Sequence, residues 1–365
     1  MKHKAGFVNI VGNPNVGKST LMNQLVGERI SIATFKAQTT RHRIMGIVNS
    51  PDMQIVFSDT PGVLKPNYKL QESMLAFSES ALTDADVLLY VTDVIENPEK
   101  NMDFLEKVKK METPVILLIN KIDELKKVEG GSRKDDVLLR KDEGLSAKVT
   151  QKPQKSQKGL RPDVAQNNFC DFRDFCVKLK TREAIHSTSP FTTQTSQQLL
   201  TAIVEKWHTL LPNAEILPIS AKNKFGVDLL LKRIEELLPE NPAYFDKDQL
   251  TDKPARFFVS EIIREKILLY YDKEIPYSVE VAVESFKEYD RKIVINAIIY
   301  VERESQKGII IGHQGVALKK VSTEARKALE RFFDKHIFLE VFVKVDKDWR
   351  SSSRELENFG YREGD

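Results

Sequence analysis

Cysteine is scarce in the chain, which holds only Cys170 and Cys176 among its 365 residues. So few cysteines exclude a disulfide framework, and no further ligands cluster around the pair to support the alternative of a metal or redox centre. Long apolar runs are missing as well, since none approaches the roughly 20 residues that a membrane-spanning helix needs. Residues 1–6 enter the first predicted strand without the apolar core of a signal peptide. We therefore expect a cytoplasmic protein.

The chain also lacks a strong charge bias, because 56 lysines and arginines are balanced by 53 acidic residues for a net charge of +3. This balance excludes nucleic-acid binding through bulk charge, so any such binding must come from local patches. The hydrophobic content of 41% and the charged content of 30% are ordinary for a globular protein. A chain of 365 residues exceeds one compact core, and two domains are expected.

A glycine loop near the N-terminus carries the most specific signal. It lies between an apolar run at 7–11 and a helical pattern, with the G-x-x-x-x-G-K-[ST] spacing of phosphate-binding P-loops. Its residues are Gly12, Asn13, Pro14, Asn15, Val16, Gly17, Lys18 and Ser19. Glycines let backbone N–H groups converge on a polyanion, and the helix N-terminus adds partial positive charge. Lys18 is expected to neutralise the β- and γ-phosphates, and Ser19 to ligate Mg²⁺.

Two loops at later strand ends extend the predicted nucleotide site. The first, after a strand at 54–58, places a carboxylate near Mg²⁺ and a glycine N–H near the γ-phosphate, and it consists of Asp59, Thr60, Pro61 and Gly62. The second follows an aliphatic strand at 115–119 and consists of Asn120, Lys121, Ile122 and Asp123. The Asp123 carboxylate can accept both donors on one edge of guanine, a pair that adenine lacks. The pattern therefore predicts binding of GTP and GDP.

A third loop follows the strand predicted at 214–219 and reads Ser220, Ala221, Lys222. Here the N–H of Ala221 is expected to donate to guanine O6, and Lys222 to pack over the base. Strands and helices alternate through residues 1–240, which predicts an α/β domain with a doubly wound, mostly parallel sheet. Residues 127–196 interrupt it with a serine-, lysine- and glutamine-rich stretch that predicts a disordered insertion, to which we assign no role.

The C-terminal part follows a different order. Residues 241–256 are polar and predict a linker, 257–350 form a second domain, and 351–365 are expected to be a tail. The second domain reads helix, strand, strand, helix, glycine loop, helix, strand, which resembles a type II KH domain of the α+β class. That resemblance implies that Gly312, His313, Gln314 and Gly315 clamp single-stranded RNA. Lys319 and Lys320 are expected to contact phosphate, with a solvated helix face as the alternative. Trp349 is expected in the KH core, with stacking on a base as the alternative.

The motifs in combination, with Gln38-Thr39-Thr40-Arg41 ahead of the loop at 59–62, resemble the Era family of translation-factor-related GTPases. The resemblance covers the chain apart from the insertion. It implies a slow GTPase that binds the 3′ end of 16S ribosomal RNA and assists assembly of the small ribosomal subunit. It also implies peripheral contact with the inner membrane, and we expect a monomer. The double-GTPase Der, a relative with two P-loops, is excluded because this chain has one.

The resemblance further implies that Thr40, with Thr39 as second choice, contacts Mg²⁺ and the γ-phosphate. The expected magnesium ligands are then Ser19, Thr40 and Asp59, and the expected catalytic residues are Lys18, Thr40, Gly62 and Asn15. Val63 occupies the position of a water-orienting glutamine in Ras-like enzymes, and a valine cannot orient water by hydrogen bonding. Asn15 is therefore a candidate potassium ligand, with a purely structural role in the loop as the alternative. A membrane-linked signalling GTPase and an RNA scaffold with incidental hydrolysis remain alternative functions.

Overall fold

The computed structural model describes residues 3–125 and 194–361. Most of the predicted insertion, residues 127–193, and both cysteines lie outside the described residues. The chain forms two compact units, one made of Met1–Ile122 with Val204–Asp365, the other of Asp123–Ile203. In the second unit the described residues are 123–125 and 194–203, the latter helical throughout. The prediction of disorder is therefore wrong at 194–196, and this helix was missed in the sequence.

A six-stranded sheet forms the N-terminal part of the larger unit, in the order β2-β3-β1-β4-β5-β6. All neighbouring pairs are parallel except β2 with β3, which is antiparallel. The elements are β1 Lys4–Gly12, α1 Lys18–Val26, β2 Ile44–Ser50, β3 Met53–Asp59, α2 Lys69–Thr83, β4 Val87–Asp93, α3 Met102–Lys109, β5 Val115–Asn120, α4 Gln194–Leu210, β6 Glu215–Pro218 and α5 Val227–Leu237.

Burial in the centre of the sheet explains why the sequences of the central strands are almost continuously apolar. Every residue of β4 is buried, as expected for a parallel strand that helices cover on both faces. Because parallel strands run in the same direction, their carboxyl ends meet at one edge of the sheet. The four predicted nucleotide loops follow β1, β3, β5 and β6, so the fold brings them to that edge.

The C-terminal part contains a three-stranded sheet in the order β7-β8-β9. Strands β7 and β8 are antiparallel with a register shift between Val283 and Ser285, whereas β8 and β9 are parallel. Its elements are α6 Ala255–Tyr270, β7 Val279–Glu288, β8 Lys292–Val301, α7 Glu304–Ile311, α8 Val316–Phe333, β9 His336–Val345 and α9 Ser353–Asn358. One apolar core joins α6, α7 and α8 to the sheet. Helix α8 follows the glycine loop, as predicted, and α6 begins two residues before 257, the predicted start of the second domain.

The residues between α5 and α6 have no helix but are bonded to the first sheet. The N–H of Ile47 in β2 donates to the carbonyl oxygen of Leu250 at 2.8 Å. The buried Gln54 side chain of β3 accepts from the N–H groups of Tyr244 and Phe245 at 2.7 and 3.0 Å. The predicted linker is thus hydrogen-bonded along the edge of the six-stranded sheet that β2 forms.

The residues after β9 also differ from the prediction. Trp349 is fully buried, but it packs against helix α2 rather than in the KH core, and α9 follows it where a tail was expected. The apolar cluster around it contains Leu70, Met74, Phe77, Leu356 and Tyr361. Among the residues that the structure describes, no helix is both long and apolar enough to span a membrane.

Candidate nucleotide site and RNA-binding loop

The P-loop connects β1 to α1 through two glycines that no other residue can replace without rearrangement. Gly12 has a φ of +143°, and a Cβ there would lie 2.1 Å from the carbonyl oxygen of Val91. Gly17 has a φ of +99°, and its Cβ would lie 2.3 Å from the amide nitrogen of Asn120. Both are conformations and contacts that favour glycine, so the neighbouring strands β4 and β5 fix the loop in place.

Lys18 is buried inside this loop. Its Nζ donates to the carbonyl oxygens of Gly12 and Asn13 at 3.0 and 2.9 Å. Burial lowers the pKa of Lys18 to about 8, and the nearby carboxylates of Asp59 and Glu96 oppose this shift. The ammonium group is therefore held at the loop at a desolvation cost that a bound phosphate would offset.

Three oxygen ligands predicted for Mg²⁺ converge beside the loop. The hydroxyl of Ser19 lies 2.8 Å from that of Thr40, and Thr40 donates to Asp59 Oδ2 at 3.3 Å. Asp59 Oδ2 also accepts from Ser31 at 2.6 Å, while the buried Asp59 Oδ1 has no partner in the described part of the chain. Hydroxyl and carboxylate oxygens are the ligands that Mg²⁺ takes in phosphate sites, and an unpaired carboxylate oxygen can accept from a metal-bound water. The residues present therefore fit this ion.

The geometry favours Thr40 over Thr39 for this role. The hydroxyl of Thr39 bonds within its own loop, to the hydroxyl of Thr34 at 2.7 Å and the carbonyl oxygen of Lys36 at 2.6 Å. Burial raises the pKa of Asp59, against the opposing charge of Lys18 and the hydroxyl bonds.

The loops after β5 and β6 are joined by the side chain of Asn120. Its amide donates to the carbonyl oxygen of Val16 at 2.8 Å, and its Oδ1 accepts from the N–H of Ala221 at 2.9 Å. The Ala221 N–H, predicted to donate to guanine O6, is thus bonded to Asn120 instead. Lys222 is exposed, and Ser220 is buried at the start of its loop. Lys121 donates to the carbonyl oxygen of Asn15 at 2.5 Å and to Asp93 at 2.7 Å. Ile122 and Asp123 belong to the single 3-10 turn Ile122–Glu124.

The loop after β3 lies directly on the P-loop. A Cβ at Gly62 would come 2.7 Å from Pro14, and the N–H of Val63 donates to the carbonyl oxygen of Gly12 at 3.2 Å. Thr60 donates to the carbonyl oxygen of Ile10 at 2.8 Å, and Ser78 to that of Pro61 at 2.9 Å. The Val63 side chain is buried, as the apolar residue type suggests.

Sequence reasoning missed two polar residues that follow β4. Glu96 accepts from Asn13 of the P-loop, and Asn101 donates to both Asn13 and the Val63 carbonyl oxygen. Neither belongs to a nucleotide-binding motif. The one available signal was their position, since polar residues just beyond a buried parallel strand lie at the ligand-binding edge of the sheet.

The glycine loop of the KH part connects α7 to α8. Gly312 has a φ of +70°, and its Cβ would lie 2.6 Å from that of Ala317, whereas a Cβ at Gly315 meets open space. His313 and Gln314 are exposed between them, and Gln314 has a positive φ of 50°. The loop therefore presents a backbone that a ligand can approach closely.

The charged residues of α8 fall into two groups. Lys319 and Lys320 are exposed near the glycine loop, and Lys320 Nζ lies 4.5 Å from the centre of the Tyr270 ring. Arg326 and Lys327, farther along, are paired with Glu330 and Glu324 of the same helix. Because Arg326 and Lys327 are paired within the helix, only Lys319 and Lys320 remain candidates for contacts with phosphate.

Two arginines connect the loop around Thr40 to the KH part, within the larger unit. The fully buried Arg41 donates to the carbonyl oxygen of Val279 at 2.7 Å and to Glu280 at 3.0 Å. Arg264 of α6, paired with Glu261, donates to the carbonyl oxygens of Thr39 and Gln38. Both neighbours of Thr40 are therefore held by the second domain.

A P-loop at the carboxyl edge of a doubly wound sheet, joined to a KH-type sheet with its glycine loop, defines a P-loop GTPase with an RNA-binding module. A family model described as 50S ribosome-binding GTPase matches residues 7–121, and one described as KH domain matches 274–350. GTPase Era of Ruminiclostridium cellulolyticum is 35% identical over 364 residues, covering 99% of each chain. GTPase Era of Syntrophus aciditrophicus is 39% identical, covering 99% of this chain and 96% of that protein. The chain belongs to the Era family of GTPases.

Solved structures agree with this assignment. A crystal structure of Era from Aquifex aeolicus bound to GDP·AlF4⁻ has a TM-score of 0.74. One of Era in complex with MgGDPNP and nucleotides 1506–1542 of 16S ribosomal RNA has a TM-score of 0.75. Each is 32% identical and covers 98% of this chain and 99% of that chain. The predicted resemblance and fold class are confirmed.

Proposed function

We propose that this chain binds and hydrolyses GTP and holds the 3′ end of 16S ribosomal RNA with its KH loop while the small ribosomal subunit is assembled. The observation that carries the proposal is the position of Thr40, which joins the magnesium ligands while both its neighbours are bonded to the KH part. The relative whose structure contains MgGDPNP and 16S nucleotides supports the same pairing of ligands.

At the nucleotide, each residue has a separate task. The P-loop N–H groups and Lys18 bind the phosphates, and Ser19, Thr40 and Asp59 would hold Mg²⁺. When bound, this ion would neutralise negative charge on the phosphates. The N–H of Gly62 would contact the γ-phosphate, and Val63 has no side-chain group that orients water. We therefore expect slow hydrolysis, and the exposed Asn15 remains the candidate potassium ligand. A faster rate in potassium than in sodium that is lost in Asn15→Ala would support that assignment.

The contacts of Thr39 and Arg41 connect the loop around Thr40 physically to the part of the chain proposed to bind RNA. A γ-phosphate and Mg²⁺ that hold Thr40 would also restrain the carbonyl group of Thr39 and the side chain of Arg41, its neighbours in the chain. Those groups bond to Glu280 and Arg264. The preferred position of the loop therefore depends on the KH part, and the KH part is in turn affected by the position of the loop. Such coupling is reciprocal for binding free energies.

The test compares two nucleotide states of the full chain. A single-stranded RNA with the sequence of the 16S 3′ end is titrated into protein saturated with GDP and then with a non-hydrolysable GTP analogue. The analogue should tighten RNA binding by about 5–150-fold, and RNA should tighten the analogue by the same factor. Equal affinities in both states would remove the coupling, and no RNA binding in either state would remove the RNA-binding function.

A further inference from the structure

A row of four polar side chains lies behind the P-loop and ends at the backbone of Val63. Thr92 donates to Glu96 Oε2 at 2.5 Å, and Asn13 donates to Glu96 Oε1. Asn101 then donates to Asn13 Oδ1 and, at 3.0 Å, to the carbonyl oxygen of Val63. These bonds connect the end of β4, the P-loop and the loop that follows β3.

The direction of these bonds is determined by the Val63 carbonyl oxygen. A backbone carbonyl oxygen can only accept a hydrogen bond, so Asn101 must turn its NH₂ group toward it. The second hydrogen of that group is donated to the Oδ1 of Asn13. The NH₂ group of Asn13 then faces Glu96, which accepts from it. The orientations of both asparagine side chains therefore follow from one backbone acceptor.

The conformation of Asn101 shows that its side chain is not needed for its helix. Asn101 is the N-cap residue of α3, where asparagine usually accepts a bond from the first turn. Here its side chain makes no cap bond. Truncating this side chain therefore removes the contacts with Asn13 and Val63 without removing a helix cap.

The backbone of Val63 connects these contacts to the site of GTP hydrolysis. Its N–H donates to Gly12 at 3.2 Å, and Gly62 before it lies against Pro14. The hydrogen bond from Asn101 holds the carbonyl group of the same residue. The position of the Gly62 N–H relative to a γ-phosphate is thus set by neighbours on both sides, although Val63 offers no polar side chain.

We propose that Asn101 is a positioning residue for GTP hydrolysis, acting through the Val63 carbonyl to hold the Gly62 N–H against the P-loop. The inference rests on the proposed GTPase function. It predicts that losing the Asn101 amide slows the chemical step more than it weakens ground-state binding, because Asn101 touches no predicted ligand atom.

The test uses Asn101→Ala in the full chain, with Asn101→Asp as a second variant that keeps the size but loses both donors. Single-turnover GTP hydrolysis should fall about tenfold, the scale of one lost hydrogen bond. Binding of GDP should stay within about twofold, whereas GDP with aluminium fluoride should bind about tenfold more weakly. The matched control is Asn213→Ala, the same truncation at an exposed position before β6, at the opposite end of the sheet.

The outcomes separate this inference from the proposed function. Wild-type protein that fails to hydrolyse GTP would remove the function itself. Wild-type activity with unchanged rates in both Asn101 variants would overturn only the positioning role. Equal losses in GDP affinity and in rate would also overturn it, because they would show a structural role in the P-loop. Melting temperatures of all variants identify any that do not fold.

Discussion

The phenol hydroxyl of Tyr271 donates to the carbonyl oxygen of Ile310 at 2.6 Å, two residues before Gly312. The backbone carbonyl of the same tyrosine accepts from Lys36 Nζ, and Lys36 also pairs with Asp272 at 2.9 Å. Lys36 lies in the loop that leads to Thr40. One residue therefore contacts both the loop that leads to Thr40 and the helix that ends at the glycine loop of the KH part.

Tyr271→Phe should weaken the coupling between GTP and RNA. The substitution keeps the buried ring but leaves the Ile310 carbonyl without this donor, a change that typically costs about 1–3 kcal/mol when the group is buried. We expect the RNA affinity of the GTP-analogue state to fall toward that of the GDP state, with GTP affinity unchanged when RNA is absent. Both affinities are measured by titration.

The control is Tyr289→Phe, which removes the same hydroxyl from a half-exposed ring in the turn between β7 and β8. If Tyr271→Phe lowers RNA affinity equally in both nucleotide states, the tyrosine supports the KH fold and does not carry the coupling.

Val63→Ala should leave single-turnover GTP hydrolysis within a few-fold of the wild-type rate. The side chain is buried and apolar, and the contacts proposed to matter use the backbone N–H and carbonyl, which alanine retains. The variant should instead lose stability, by about 1–2 kcal/mol from the deleted methyl groups. A rate loss of about 10²–10³, as for a missing catalytic donor, would contradict this view of the site.

The stability of the chain without nucleotide or metal should depend on pH through Lys18. Burial lowers its pKa to about 8 from the ordinary 10.5, so between these values the unfolded chain binds more protons than the folded one. The free energy of unfolding should therefore rise with pH across this window, by about 3 kcal/mol at 1.36 kcal/mol per pKa unit. Below pH 8 the cost of burying the ammonium group is fully present.

Chemical denaturation of wild type and Lys18→Met, in EDTA from pH 7 to 10.5, measures this dependence. The difference between the two proteins isolates Lys18 from the other titrating groups. We expect the rise to be missing in Lys18→Met, which should also fail to bind GTP. An equal rise in both proteins would show that Lys18 retains an ordinary pKa in the fold.

The sequence predicted those features whose determinants are local. The P-loop spacing, the strand ends and the helix after the KH glycine loop depend on glycines and on periodicity within a few residues. The contacts of Arg41 with Glu280 and of Asn101 with Val63 join residues 239 and 38 positions apart, and no local pattern indicates them. Trp349 shows the same limit, because its burial was predictable from residue type but its packing against α2 was not.

The glycine loop itself allows a cleaner test than a substitution of Gly312, whose added Cβ would press on Ala317. Gln314 is exposed and has a positive φ, a conformation that aspartate and asparagine tolerate better than most residues.

Gln314→Asp should therefore keep the loop shape while placing a negative charge where RNA phosphate is expected. Gln314→Asn is the matched neutral control. We expect RNA affinity to fall at least tenfold in Gln314→Asp and to stay within about threefold in Gln314→Asn, with the difference shrinking at high salt as screening increases. GTP affinity without RNA should be the same in both. If both variants bind RNA like the wild type, RNA does not approach this loop closely, and the binding surface must lie elsewhere on the KH part.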